Sequence, residues 1–171
     1  MLGKQLAELW QIPVEEVYHH EAHAWSVLAE NNLLDSKEPV LCVVWDGTGY
    51  GVDKQSWGGE FFTYENQSFK RETHLSYIPV WQGDAMALEP RLSALFLCRD
   101  FLKDTSLRKK FSDTEWSYYL KLTQTKPILH TSSIGRLFDA VASILNVCDH
   151  NTYEGEAAMQ LEAKATEGKC L

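Results

Sequence analysis

PVLCVVWDGTGYG, running from Pro39 to Gly51, is the stretch on which the fold turns. Its first half, Pro39 to Asp46, is a continuous apolar, β-branched run, the pattern of a strand buried on both faces. The second half, Gly47-Thr48-Gly49-Tyr50-Gly51, reads as a turn. Downstream, Trp57 to Tyr64 (WGGEFFTY) and Phe69 to Ile78 read as two further strands, separated by the polar turn Glu65-Asn66-Gln67-Ser68. An antiparallel meander starting at Val40 is therefore expected. Upstream, Met1 to Leu9 reads as a short helical stretch ended by Pro13. Glu15 to Asn31 reads as a second helix, with Val17, Ala24, Val27, Leu28 and Leu33 at near-helical spacing and Glu15 and Glu16 in the first turn. After the meander, Asp84 to Leu102 is expected to be helical, with Asp84 as N-cap and Pro90 at a kink or in the first turn of the main part. Further helices are expected around Asp113 to Leu122, over Ser132 to Leu145 with Leu137, Val141, Ile144 and Leu145 on one face, and over Glu154 to Ala165. The class is α/β, a central strand meander with flanking helices, and no internal repeat or linker interrupts it.

Composition narrows the function. The chain has 171 residues, 44% of them hydrophobic and 23% charged, so it can bury a core without metal or disulfide staples and is not intrinsically disordered. Sixteen Lys plus Arg stand against 24 Asp plus Glu, a net charge of −8, which argues against a nucleic-acid partner bound through a broad basic surface. Ligands held by backbone amides or by a metal are compatible with that charge. Cys42, Cys98, Cys148 and Cys170 include no CxxC pair, and no signal peptide is evident. No run approaches the ~18 apolar residues needed to cross a bilayer. A cytoplasmic protein with free, mostly buried thiols and no membrane partner is expected.

The chemistry concentrates in two strings. In YHHEAHAW, His19 and His23 stand at i, i+4 on one helical face, where both imidazoles can chelate one divalent ion, while His20 points away from that face. Such spacing also occurs on helices that bind nothing. The metalloprotease pattern HExxH is absent. In DGTGYG, Asp46 ends the most hydrophobic strand beside glycines whose amides can approach phosphate oxygens and a Thr48 hydroxyl; an ordinary hairpin turn fits the hexapeptide equally well. His19, His23 and Asp46 together would make a two-histidine, one-carboxylate set with open positions, suited to iron or zinc. Ser132, Ser133, Gly135, Arg136 and Asp139 open a helix whose free amides favour anions, and Glu154 with Gly155 opens the last one. Neither helix start distinguishes a ligand site from simple dipole stabilisation.

Six strings in order, HHEAHAWSVLAE, VVWDGTGYG, WGGEFF, GDAMALEPR, SSIGRLFDAVASIL and YEGEAAMQLE, closely resemble the carbamoyltransferase domain of the HypF family of nickel-iron hydrogenase maturation proteins. That domain is similar to the tRNA threonylcarbamoyl transferases and belongs to the actin-like ATPase (ASKHA) superfamily. The resemblance runs from about Val17 to Leu161. It implies a partial actin-like fold over residues 1–171, with His19, His23 and Asp46 as metal ligands and a fourth ligand, an aspartate, beyond Leu171. It also implies a nucleotide face made by Asp46, Gly47, Thr48, Gly49 and Gly51, by Gly83 and Asp84 (with Gln82 where the family has a glycine), by Gly135 and Asp139 near the ribose, and by Glu154 and Gly155 beside the purine. No catalytic side chain is assigned. The implied substrates are ATP or carbamoyl adenylate, and the implied acceptor is the C-terminal cysteine thiol of a HypE-like protein, whose thiocarboxamide is the precursor of cyanide. The acylphosphatase-like, zinc-finger and YrdC-like parts of HypF, and both ends of the carbamoyltransferase domain, fall outside the resemblance. A central piece of this kind is expected to expose apolar surface or to associate with the missing HypF segments. The alternative expectation is a catalytically silent fragment that keeps a metal and nucleotide binding face or serves as an interaction module.

Overall fold

The computed structural model describes residues 2–104 and 106–168. Its sheet grows from one long hairpin, β1 (Val40–Tyr50) against β2 (Ser56–Glu65), with β3 (Ser68–His74) antiparallel to the far half of β2. Asn66 and Gln67, both at positive φ, make the tight turn between β2 and β3, whose twist suits a two-residue hairpin. The expected meander is thus present, and the molecule is of mixed α/β class. The third expected strand, however, divides into β3 and a separate β4 (Ile78–Val80), which pairs with β5 (Leu129–Thr131); β5 runs parallel to β2 at Ser56–Thr131.

Two readings of the opening stretch are corrected. β1 is not buried on both faces. Cys42 and Val44 face Ala24, Trp57 and Phe62, whereas Leu41, Val43 and Trp45 are exposed, because β1 pairs only with β2 among the described residues and is covered on one side, by α2 (His19–Glu30). Nor is Gly47 to Gly51 the turn. β1 continues to Tyr50 through a bulge between Trp45 and Gly49, and the chain reverses at 51–55. Asp53 organises that reversal by accepting hydrogen bonds from the Gln55 amide (3.1 Å), Trp57 Nε1 (2.8 Å) and the Tyr77 hydroxyl (2.5 Å).

The helices differ from expectation mainly in their faces. After α1 (Leu2–Trp10), residues 12–18 stay non-helical, so α2 starts at His19 instead of Glu15, and Glu16 reaches back to Lys4 at 2.8 Å. α2 buries His20, Ala24 and Leu28 at i, i+4, i+8 and leaves Val27 exposed, as is Val17 in the segment before it. α3 (Ala85–Leu88) and α4 (Pro90–Leu97) follow, with Pro90 at the first position of α4. α4 is buried from Pro90 to Phe96. Leu92, Leu95 and Phe96 pack with Ile78, Val80 and Trp81, while Ala94 packs with Ala140 of α6 (Ile134–Ile144). Two 3-10 segments, Arg99–Asp104 and Ser106–Lys110, lead to α5 (Asp113–Leu122), which carries a capping box between Ser112 and Glu115.

α6 packs mainly through its small residues. It buries Ile134, Asp139, Ala140, Ala142 and Ser143, half-buries Leu137 and Val141, and exposes Phe138, Ile144 and the C-cap residue Leu145, because small side chains let α6 lie close to α4 and to α7 (Glu156–Glu167). α7 begins at Glu156 after Gly155, whose φ of +79° puts it in the left-handed region that glycine tolerates. Of the cysteines, Cys148 is buried, Cys42 and Cys98 are half-buried, all three are free, and Cys170 lies outside the described residues. No helix among the described residues is long and apolar enough to cross a membrane.

Candidate metal centre and adjoining cleft

α2 presents His19 and His23 one turn apart, and Asp46, within the β1 bulge, meets them. His19 Nε2 lies 2.7 Å from Asp46 Oδ2 and 3.1 Å from His23 Nε2, and His23 Nε2 lies 3.7 Å from the same carboxylate oxygen. One proton on His19 Nε2 can serve either the oxygen or the neighbouring nitrogen, whereas a cation among the three serves all of them. An ion with bonds of ~2.0–2.2 Å holds its ligands ~3–3.5 Å apart. The observed 2.7, 3.1 and 3.7 Å bracket that range, so the donor set fits a divalent metal. Both histidines are half-exposed, which leaves coordination positions open toward solvent. The other oxygen, Oδ1, accepts the Gly47 amide at 2.6 Å, fixing the carboxylate's orientation.

Sequence reasoning underrated His20. Its ring is fully buried against Trp57, with Nε2 3.7 Å from Asp46 Oδ2 and no hydrogen-bond partner for either nitrogen among the described residues. Burial pushes its pKa down, only partly offset by Asp46 and Glu60, so the ring is held neutral. Gly49 makes room for both imidazoles: a Cβ there would come within 2.8 Å of His19 Cδ2 and closer still to His20 Cε1. Gly49→Ala is therefore expected to push α2 away from Asp46, costing about 1–3 kcal/mol of stability and weakening metal binding together. Thermal denaturation and a zinc titration on the same variant check this; a stable variant with unaltered metal affinity contradicts it.

Beside the metal ligands lies a cleft of about 270 Å³ whose lining includes Gly47, Thr48, Gly49, Gly83, Asp84 and Arg136. Gly47 faces open space, since a Cβ there would meet nothing within 4 Å. Gly83 sits at φ +52°, a conformation that favours glycine. Asp84 occupies the N-cap position of α3 but makes no side-chain capping bond, so its exposed carboxylate stays available to the cleft. The start of α6 is tied to this wall: Ser133 Oγ accepts the Arg136 amide at 3.1 Å and donates to the Gly47 carbonyl at 2.6 Å.

The remaining residues from the sequence reading lie elsewhere. Gly135 packs beneath the wall, its Cβ position 3.2 Å from Gly47 Cα, and Gly51 is pressed against the Trp57 indole. Asp139 is buried behind the cleft, 2.8 Å from an Arg136 terminal nitrogen, and burial raises its pKa. Glu154 and Gly155 sit at the start of α7, away from the lining. A buried acid network was also missed. Glu60 accepts from Arg71 Nε (2.6 Å), from Ser132 Oγ and from the Gly58 and Gly59 amides (3.2 and 3.3 Å). The glycine pair preceding Glu60 was the only sequence signal for it.

Residues 42–170 match the family model described as carbamoyltransferase, Kae1-like domain, second subdomain. The chain is 36% identical over 163 residues to carbamoyltransferase HypF2 of Cupriavidus necator, an alignment covering 94% of this chain and 20% of that protein. It superposes on the crystal structure of full-length HypF in the phosphate- and nucleotide-bound form with TM-score 0.82 and 35% identity, covering 94% of this chain and 21% of that one. The crystal structure of T. kodakarensis HypF gives TM-score 0.85 and 33% identity, over 98% and 23%. The chain thus spans about a fifth of the length of these relatives.

Proposed function

This chain belongs to the HypF carbamoyltransferase family, in the second subdomain of its Kae1-like domain, and on that premise we propose that it carries the metal and nucleotide face of a carbamoyl transfer site. The observation that bears most weight is the convergence of His19, His23 and Asp46, from α2 and β1, within 4.8 Å of one another. These residues would hold one divalent cation, iron or zinc. The cation would act as a Lewis acid on the carbamoyl carbonyl. The chain's own groups do the rest. The backbone from Gly47 to Gly49 and the Thr48 hydroxyl hold an adenylate phosphate in the cleft. The Oδ1 contact with the Gly47 amide keeps Asp46 aimed at the metal while the phosphate is seated next to it.

In the reaction proposed, the carbamoyl carbon of carbamoyl adenylate is attacked by the thiolate of a C-terminal cysteine on a HypE-like acceptor. A C–S bond forms, the C–O bond to phosphate breaks, AMP leaves, and the thiol proton passes to solvent. ATP-dependent formation of carbamoyl adenylate belongs, in this reading, to HypF segments outside the matched fifth.

The test is a titration of the full chain with zinc, and anaerobically with iron(II), followed by transfer from supplied carbamoyl adenylate to a cysteine-ended peptide. One equivalent of metal and metal-dependent thiocarboxamide formation are expected. Absence of stoichiometric metal sinks the proposal, and metal plus AMP binding without transfer assigns the chain a silent binding role instead.

A further inference from the structure

Arg136 is the one cationic side chain among the residues lining the cleft. Its guanidinium forms no hydrogen bond among the described residues, and its Nε is buried without a partner. A guanidinium carries five N–H donors, and leaving a buried donor unused is unfavourable until an acceptor arrives. Its ion-pair partner Asp139 is almost wholly buried. The two lie 2.8 Å apart, yet the contact lacks hydrogen-bond geometry and Asp139 Oδ2 is itself unsatisfied.

Asp139 is held from behind. Asn151 Nδ2 donates to Asp139 Oδ1 at 3.4 Å and to the Ala87 carbonyl at 2.8 Å, while Asn151 Oδ1 accepts the Ala157 amide at 3.0 Å. Ala87 lines the cleft; Asp139 and Asn151 do not. The acid therefore stands behind the wall and the arginine in front of it.

Resting on the nucleotide reading above, we propose that Arg136 contacts the ligand, clamping its phosphoryl oxygens against the Gly47–Gly49 backbone, and that Asp139 is a positioning residue that holds the guanidinium in place. An arginine fork matches two phosphate oxygens at once.

Calorimetric titration of the full chain with AMP, adenosine and inorganic phosphate tests this. Arg136→Met is expected to weaken AMP and phosphate at least about tenfold and to leave adenosine within about twofold, since only a charge-assisted contact is lost. Arg136→Lys, which keeps the charge but not the fork, falls between. Asp139→Asn is expected to lower the ratio of AMP to adenosine affinity, a quantity that general loosening of the fold would not move. Equal loss of AMP and adenosine in Arg136→Met, or unchanged AMP binding, overturns the clamp. A rise in AMP affinity in Asp139→Asn overturns the positioning role, because the carboxylate would then act only as a competing charge. Phosphate binding that depends on Arg136 without any adenosine binding keeps the clamp and removes the nucleotide reading. A chain that binds neither AMP nor phosphate overturns both.

Discussion

His23→Ala is expected to abolish stoichiometric binding of a divalent metal. The three ligand atoms come from two elements only, and His19 and His23 form the bidentate half of the set, one helical turn apart. Structural zinc sites bind with roughly 10–16 kcal/mol shared over about four ligands, so losing one imidazole costs ~3 kcal/mol, or more than about 100-fold in affinity. The exchange should be silent for the fold, because the His23 side chain is half-exposed. His23→Ala with an unchanged circular dichroism spectrum and no zinc equivalent in a competition titration is the expected pair of results. A variant that still takes up one equivalent would move the metal away from this helix. Asp46→Asn is a weaker test, since Oδ1 also carries the Gly47 amide and its loss disturbs the β1 bulge.

Glu60 offers the largest effect on stability. Its carboxylate is wholly buried, and its hydrogen bonds join β2 to β3 through Arg71 and to the approach of α6 through Ser132. Glu60→Ala leaves those donors facing a gap and Arg71, stacked 3.9 Å over the Trp57 ring, with Asp53 as its remaining counter-charge among the described residues. Breaking a buried pair on one side costs about 3–5 kcal/mol. For a chain of this size that is a fall of roughly 10 °C in melting temperature. The effect also carries a pH signature. Burial alone would raise the Glu60 pKa, but the hydrogen bonds from Arg71, Ser132 and the Gly58 amide outweigh it, and the net shift is downward from 4.5. A depressed folded-state pKa means the contribution is fully present above the unfolded value of 4.5 and is lost as the pH falls through the lower folded one. Glu60→Gln should therefore flatten the acid limb of the stability profile, measured by urea unfolding from neutral pH down to the acid transition. A parallel downward shift of the whole curve, with the limb intact, would assign the carboxylate a packing role alone. Because Ser132 precedes Ser133, which holds the Gly47 carbonyl, both variants should also loosen the cleft.

The metal half of the candidate site was legible because its geometry is local. Two histidines four residues apart must share a helical face, and Asp46 is marked as the acid that closes the apolar run from Pro39. The meander was legible for the same reason: the Asn66-Gln67 turn joins strands adjacent in sequence. Other features depend on which surface each element turns inward, and local pattern does not carry that. β1 looked buried on both faces because its apolar run is unbroken, yet it has one paired neighbour among the described residues and leaves Leu41, Val43 and Trp45 open. α6 looked as though it would bury Leu137, Val141, Ile144 and Leu145, but close approach to α4 selects Ala140, Ala142 and Ser143 and leaves the first two half-buried and the last two exposed.

The ligand types, the helix that carries two of them and the strand that carries the third follow from residue identity and short-range periodicity. Tertiary packing decided the rest. It brought residue 46 against residues 19 and 23, buried His20 beneath Gly49, and joined Glu60 to Ser132 across 72 positions of chain. It also set Asp139 behind Arg136 when their spacing alone would put either one at the ligand. The physical reason is that periodicity defines faces within an element, whereas burial of one face and exposure of another is a property of the neighbours it packs against.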